Sequence, residues 1–176
     1  HQPELMEQHK LYLEAIELLK QLIQTPSLSK EEDKTAAILS NFLHQHGVAV
    51  HQHLNNVWAF NKYYNPELPT ILLNSHHDTV KPNPGYTRDP FAATVEDDKL
   101  YGLGSNDAGG CLVSLIAVFL YFYEQPNLKY NLVLAATAEE EISGRNGIEL
   151  ILPELGQLDA AIVGEPTEMH LAVAEK

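Results

Sequence analysis

The sequence has a single cysteine and few basic residues, and both shortages narrow the classes of protein to which it can belong. Because Cys111 has no partner in the chain, an intrachain disulfide is excluded and a reducing compartment is expected. Eleven Lys and Arg residues stand against 24 Asp and Glu residues, which gives a net charge of −13 and a pI near 5.0. A nucleic-acid backbone or an anionic membrane requires a positive surface, so we expect neither as a partner.

The sequence also shows no targeting segment and no long apolar run. No basic stretch followed by an apolar stretch opens it, and no apolar run approaches the ~20 residues that span a bilayer. We therefore expect a soluble, cytoplasmic protein. Apolar residues make up 44% of the 176 positions and charged residues 20%, which is typical of one globular domain with a hydrophobic core.

The N-terminal third predicts two helices and a pair of strands. Apolar residues recur at three- and four-residue spacing over positions 12–23, which indicates one buried helix face that Pro26 brings to an end. Ser29 and Glu32 have the spacing of a capping box for a second helix, and Gly47 marks its end. Residues 48–50 and 57–60 then predict two strands around an Asn-Asn turn.

Short apolar runs bounded by turns predict the remaining strands. These strands are expected at 70–73, 93–96, 99–101, 130–136, 160–163 and 171–174. Helices are predicted from about 112 to 122 and from 144 to 152, before Pro153. The alternation of strands and helices predicts a single α/β layered domain.

Residues with metal-binding chemistry follow three of these runs. The first run is followed by His76 and Asp78, the second by Glu139, Glu140 and Glu141, and the third by Glu165, while Asp107 lies in a glycine-rich turn. Because ligands bind at the carboxyl ends of strands in an open α/β sheet, we expect these side chains to converge. Clustered carboxylates repel one another unless cations neutralise them, and a His with several carboxylates suits zinc, cobalt or manganese.

Each of these features has an ordinary alternative when it is taken alone. The alternatives are a hydrogen-bonded turn for His76-x-Asp78, a solvated charge run for Glu139 to Glu141, a helix N-cap for Asp107 and a surface turn for Glu165. The glycine-rich segment 102–110 lacks the spacing and the lysine of a phosphate-binding loop. Its glycines predict instead a backbone that passes close to a neighbour while Asp107 points into a site.

The motifs around these residues resemble those of the dinuclear zinc amidohydrolases of the M20 peptidase family. Four motifs carry the resemblance in order: Ser-His-His-Asp-Thr-Val from Ser75, Gly-Leu-Gly-Ser-Asn-Asp-Ala-Gly-Gly from Gly102, Thr-Ala-Glu-Glu-Glu from Thr137 and Gly-Glu-Pro-Thr-Glu from Gly164. The segments 73–82 and 161–168 are most similar to the acetylornithine deacetylase-like branch. The resemblance implies a three-layer α/β/α domain with a central mixed, mostly parallel sheet.

The resemblance also implies a role for each candidate site residue. The ligands that it implies for two zinc ions, which Co²⁺ or Mn²⁺ could replace, are His76, Asp107, Glu141 and Glu165. Asp107 would bridge the two ions, Asp78 would orient the His76 ring, and Glu140 would be the general base and then the general acid. The sequence departs from the family pattern at Leu103 and Glu139, where Arg and Asp are common. His77 stands at a variable position, where we expect packing or exposure rather than metal binding.

The implied function is hydrolysis of the amide bond of a small-molecule N-acyl amino acid, as in arginine biosynthesis. Alternatives are a succinyl-amino-acid desuccinylase, a di- or aminopeptidase, or, for this chain alone, a non-catalytic metal-binding domain. Residues 1–176 correspond to the N-terminal portion of the family's catalytic domain, without the lid and dimerisation domain or the C-terminal portion, and His170 matches neither of the His residues found there. We therefore expect the isolated chain to be inactive and the full-length enzyme to be a homodimer.

Overall fold

A five-stranded sheet forms the centre of the protein, in a computed structural model that describes residues 2–168. The strands are β1 (His51–His53), β2 (Asn56–Phe60), β3 (Thr70–His76), β4 (Thr94–Glu96), β5 (Lys99–Tyr101), β6 (Asn131–Thr137) and β7 (Ala160–Val163). The sheet order is β1-β2-β6-β3-β7, while β4 and β5 form a separate hairpin.

The strand directions bring three carboxyl ends to one edge of the sheet. β3 lies between β6 and β7 and runs parallel to both, with His76 paired with Thr137 and Asn74 paired with Val163. β1 and β2 form a hairpin, and β2 runs antiparallel to β6. The segments that follow β3, β6 and β7 therefore emerge side by side.

Helices cover both faces of the sheet. They are α1 (Gln2–Gln24), α2 (Asp33–Gln45), α3 (Gly110–Phe122) and α4 (Ile148–Ile151). One face packs against α1, α2 and α3 in a core that includes Leu18, Leu39, Leu73, Ile116 and Phe119. The other face packs against α4 and the turn after it through Trp58, Leu72, Val133, Ile151 and Leu155.

Adjacent side chains of β3 show why the sheet needs a layer on each face. Leu72 and Leu73 point to opposite faces, since side chains alternate along a strand, and each lies in a different one of the two cores. Burying one such side chain stabilises the fold by about 1.5–3 kcal/mol. The three-layer α/β/α fold with a mixed, mostly parallel sheet is confirmed.

Several element boundaries differ from those expected. α1 begins at Gln2, ten residues before position 12. The apolar pattern does not reveal this start, because the first half of the helix is exposed and has no buried apolar face. The strand expected at 48–50 forms at His51–His53, after the turn that ends α2. The helix expected over 144–152 is only the single turn α4, followed by the tighter turn Leu152–Glu154 that contains Pro153. The strand expected at 171–174 lies outside the described residues.

One segment, Ser105–Phe122, is long and apolar enough to cross a membrane by length and composition alone. The expectation that no segment approaches that length is therefore wrong. Leu112, Val113, Ile116 and Phe119 of this segment are buried in the core beside α1 and the sheet. A core helix of a globular domain passes the same test of composition.

Candidate metal centre

His76, the last residue of β3, forms the centre of the candidate site. Its side chain is 1% exposed. Its Nδ1 lies 3.0 Å from the backbone oxygen of Asp78 and 3.2 Å from Oδ1 of the same residue. With Nδ1–H donating to Asp78, Nε2 is the nitrogen that faces the rest of the site, and it becomes a free acceptor when the ring loses its second proton. This arrangement leaves one nitrogen available to a metal ion.

Three carboxylates surround that nitrogen. Oδ1 of Asp107 lies 3.1 Å from Nε2, Oε1 of Glu165 lies 3.5 Å away, and Oε2 of Glu140 lies 3.6 Å away. Each comes from a different part of the fold: the turn before α3, the end of β7 and the end of β6. These three side chains and His76 therefore lie together at the edge of the sheet, as expected from the sequence.

Within residues 2–168, two overlapping groups of side chains could each hold an ion. They are His76, Asp107 and Glu165, and His76, Glu140 and Glu141; within each group the ligand atoms lie within 4.8 Å of one another. An imidazole nitrogen with carboxylate oxygens is a donor set that zinc accepts. The residues present thus fit a divalent cation. Which of Glu140 and Glu141 binds an ion and which transfers a proton stays a prediction.

The electrostatics of the site favour a cation. Burial raises the pKa of Glu165, and the charges of Glu140 and Asp107 raise it further against the opposing effect of His76. Burial and the charge of Asp107 likewise raise the pKa of Glu141. Neighbouring carboxylates repel one another when they are all ionised, and a bound cation would remove this repulsion.

The negative charges of the site also favour the protonated form of His76. Burial lowers the pKa of His76, but the hydrogen bond to Asp78 and the charges of Glu165 and Glu140 outweigh it and raise the pKa to about 9. In the metal-free protein this ring is therefore a cation at neutral pH. A metal ion must displace its proton in order to bind.

The glycine-rich turn carries Asp107 into the site by packing closely against its neighbours. Gly104 has φ +76°, and a Cβ on it would lie 2.7 Å from Cγ2 of Thr79. A Cβ on Gly109 would lie 2.7 Å from Cδ1 of Leu19 in α1. The predicted close approach of this backbone is confirmed. Asp107 does not cap α3, whose N-cap is Gly109 with no side-chain cap.

Asp78 binds both His76 and the loop that carries Glu140 and Glu141. It is fully buried, and its Oδ1 and Oδ2 accept the backbone N–H groups of Glu140 and Glu141, both at 3.1 Å. Its Oδ2 also accepts the hydroxyl of Ser29 at 2.6 Å. Burial raises the pKa of Asp78, but these hydrogen bonds and that of His76 outweigh it and lower the pKa below its ordinary value. Asp78 thus acts on the loop after β6 as well as on His76.

His77 lies outside both candidate metal groups. Its ring is buried, with Nδ1 2.7 Å from Oγ1 of Thr35 and Nε2 2.7 Å from the backbone oxygen of Asn55. The geometry fits the packing role expected for it. His170 lies outside the described residues.

The capping box expected at Ser29 and Glu32 is wrong. α2 begins after Glu32 without a side-chain cap, because both side chains bind elsewhere. Ser29 binds Asp78, and the fully buried Glu32 accepts the backbone N–H of Glu139 at 3.2 Å. Sequence reasoning missed these two supports because a Ser-x-x-Glu pattern before a helix has a sufficient local explanation.

Comparison with known proteins gives a family match over most of the chain. Residues 72–175 match the model of peptidase family M20/M25/M40. This range contains all six candidate site residues, from His76 to Glu165.

Solved structures match the fold across a larger share of the chain. An M20 family metallo-carboxypeptidase from Sulfolobus solfataricus is 27% identical over 85% of this chain and 37% of its own, with a TM-score of 0.69. Human carnosine dipeptidase 1 is 21% identical over 93% and 40%, with a TM-score of 0.68. The dinuclear metal binding YXEP peptidase of Bacillus subtilis is 19% identical over 88% and 43%, with a TM-score of 0.66. The chain thus spans about two fifths of the length of these proteins.

Proposed function

This chain belongs to peptidase family M20/M25/M40, and we propose that its protein hydrolyses the amide bond of an N-acyl amino acid with the help of divalent metal ions. The proposed substrate class is that of the acetylornithine deacetylase-like branch, in arginine biosynthesis. The observation that carries the proposal is the convergence of Asp107, Glu140 and Glu165 on Nε2 of His76, all within 3.6 Å.

The ligand groups of the site suit a pair of ions of the zinc type. His76, Asp107 and Glu165 would hold the first, and Asp107 with Glu141 would contribute to the second. When bound, such ions polarise an amide carbonyl and make a water molecule more acidic. The carboxylates among the described residues would supply the negative charge to hold such ions, and Asp78 keeps the His76 ring in the orientation that presents Nε2.

Glu140 is the residue of this chain best placed to move a proton. Its side chain is 52% exposed, so a substrate and water can reach it, while its backbone N–H is bound by the buried Asp78. A carboxylate in this position can take a proton from an attacking water molecule and then give it to the leaving amine. Both steps use the carboxylate of Glu140.

A second candidate is the hydrolysis of dipeptides. It is favoured by the names of the similar structures, which include a metallo-carboxypeptidase and a dipeptidase. The chemistry at the scissile amide is the same in both cases, and the two differ in whether the acyl part carries an amino group.

The test is a substrate comparison with the full-length protein loaded with zinc, cobalt or manganese. N-acetylornithine, N-succinyl-diaminopimelate and an unmodified dipeptide would be assayed side by side. We expect kcat/KM to be highest for the acetylated amino acid, and preference for the dipeptide would favour the second candidate. Glu140→Gln should lower kcat by about 10²–10⁴-fold with metal content unchanged, whereas the exposed Glu154→Gln should leave it unaltered. Absence of hydrolysis with every substrate and metal would refute the proposal.

A further inference from the structure

We propose that Glu32 and Asn56 are positioning residues for this reaction, which with Asp78 form an amide clamp on the loop that carries Glu140 and Glu141. The catalytic part of this inference rests on the proposed function. The clamp itself rests only on contacts within the fold.

The clamp binds four consecutive backbone N–H groups. The amides of residues 138, 139, 140 and 141 donate in turn to Oδ1 of Asn56 at 2.9 Å, Oε1 of Glu32 at 3.2 Å, and Oδ1 and Oδ2 of Asp78, both at 3.1 Å. All three acceptor side chains are fully buried. Because water cannot replace them there, each of these hydrogen bonds would be costly to lose.

The loop needs these partners because it leaves the sheet at this point. The parallel pairing of β6 with β3 ends at Thr137, so the following amides have no strand as an acceptor. Glu139 then adopts a left-handed conformation, with φ +55°, one residue before Glu140. A non-glycine residue keeps this conformation only where its surroundings hold it.

Further contacts anchor the clamp residues themselves. Oε1 of Glu32 also accepts the backbone N–H of Lys30 at 2.7 Å, and Oε2 accepts a hydrogen bond from the side-chain Nδ2 of Asn55 at 3.1 Å. The side-chain amide of Asn56 donates to the backbone oxygen of Asn146 at 2.7 Å, so it holds the loop at its far end as well. The segment 138–146 is therefore fixed at both ends by residues from before β3.

The clamp affects the reaction through the position of the Glu140 carboxylate. The side chain of Glu140 is half exposed, so its location depends on its backbone more than on packing around it. Small displacements of a catalytic group reduce turnover strongly, while they affect ground-state binding less. Loss of Glu32 should therefore lower kcat more than it raises KM.

The first arm of the test measures hydrogen exchange in the metal-free protein and needs no substrate. The variants are Glu32→Ala, the isosteric Glu32→Gln, which keeps an acceptor oxygen, and the neighbouring exposed Glu31→Ala as control. In the wild type, Glu32→Gln and Glu31→Ala, the amides of 138–141 should exchange slowly. In Glu32→Ala the amide of Glu139 should exchange at least about tenfold faster. Exchange of 138–141 in the wild type as fast as in the exposed turn at 97–98 would overturn the clamp.

The second arm measures kinetics of the metal-loaded full-length protein. Glu32→Ala should lower kcat by about 10- to 100-fold, with KM within about threefold, and Glu32→Gln should restore most of the activity. Unchanged kcat per folded molecule in Glu32→Ala would overturn the positioning role and leave a purely structural one.

If Glu32→Ala does not fold, Glu32→Asp takes its place, because it keeps the charge and shortens the reach. An inactive wild type would overturn the proposed function and the catalytic part of this inference, while the exchange data would still decide the clamp.

Discussion

The hydroxyl of Ser29 lies 2.6 Å from Oδ2 of Asp78, although the two residues are 49 positions apart in the sequence. The same loop contacts the end of β3 again, since the N–H of Thr79 donates to the backbone oxygen of Ser27 at 2.8 Å. Asp78 in turn lies against Nδ1 of His76. The connection between α1 and α2 is therefore part of the support of the site and not a simple linker.

Replacing Ser29 with alanine should destabilise the protein. Asp78 is fully buried, and its carboxylate would lose one of the hydrogen bonds that keep its pKa low. Loss of a hydrogen bond to a charged group costs about 1.5–3 kcal/mol of the free energy of unfolding. Urea unfolding of the metal-free protein would measure the loss.

The control for Ser29 is Ser114→Ala, which removes an exposed hydroxyl that binds the backbone of α3 and should change stability by less than about 0.5 kcal/mol. The pH dependence adds a second check. Because the pKa of folded Asp78 lies below its ordinary value of 3.8, its contribution is present above pH 3.8 and is lost as pH falls through the folded value. The difference between Ser29→Ala and the wild type should therefore shrink in acid, and a constant difference would contradict the assignment.

In the metal-free protein, His76 should titrate near pH 9. The pKa of this ring stands well above 6.5, so its protonated form contributes stability that is complete below pH 6.5 and is lost as pH rises through about 9. NMR titration of the imidazole signals would measure the pKa directly. Burial lowers the pKa of the neighbouring His77 below 6.5, so that ring serves as an internal reference.

The variant Asp78→Asn tests the cause of this shift. Burial alone lowers the pKa of His76, and the hydrogen bond to Asp78 is the largest effect that raises it. Removing the charge of residue 78 should therefore move the midpoint of His76 well below 9. A midpoint near 9 in the variant would show that Glu165 and Glu140 are sufficient.

The central strands, and the meeting of candidate side chains at one edge of the sheet, could be predicted from the sequence, because the apolar runs and the polar residues after them are local signals. An apolar run such as 130–136 gives a buried strand, and the parallel order of β6, β3 and β7 brings Glu140 and Glu165 to His76. The motifs at the ends of β3, β6 and β7 contain His76, Glu141 and Glu165, whereas the candidate ligand Asp107 comes from the glycine-rich turn before α3.

The supports of the site could not be predicted, because their partners are distant in sequence. Glu32 binds the backbone 107 residues later, and Asn56 binds it 82 residues later. Locally, the first resembles a helix cap and the second a turn residue. Only the fold shows that both are buried acceptors for the same loop.

Zinc titration of the 176-residue chain should reveal one tight equivalent. Among residues 2–168, both groups that could hold an ion contain His76. Nε2 of this ring faces Asp107, Glu140 and Glu165, while Nδ1 is occupied by Asp78, whose Oδ1 lies 3.2 Å away. The second ion would therefore be held by carboxylates without a nitrogen ligand, and it should bind more weakly.

His76→Ala should abolish the tight equivalent, and the exposed His53→Ala should leave it unchanged. Calorimetry at neutral pH would give both the stoichiometry and the affinity. Two tight equivalents in the wild type would mean that a further ligand, not identified among residues 2–168, completes the second site.

Gly104→Ala should lower the stability of the protein more than Gly47→Ala does. The comparison isolates the effect of the close contact between Gly104 and Thr79. Both glycines have positive φ, +76° and +75°, so alanine costs about 1 kcal/mol at either position. At Gly47 the new methyl group would meet nothing within 4 Å, whereas at Gly104 it would lie 2.7 Å from Cγ2 of Thr79. Overpacking of this kind adds about 1–3 kcal/mol.

Because Thr79 follows Asp78 and Gly104 lies three residues before Asp107, the displacement should also weaken zinc binding in Gly104→Ala alone. Urea unfolding and zinc titration of the two variants would test this, and equal losses at both positions would show that the contact with Thr79 does not constrain the site.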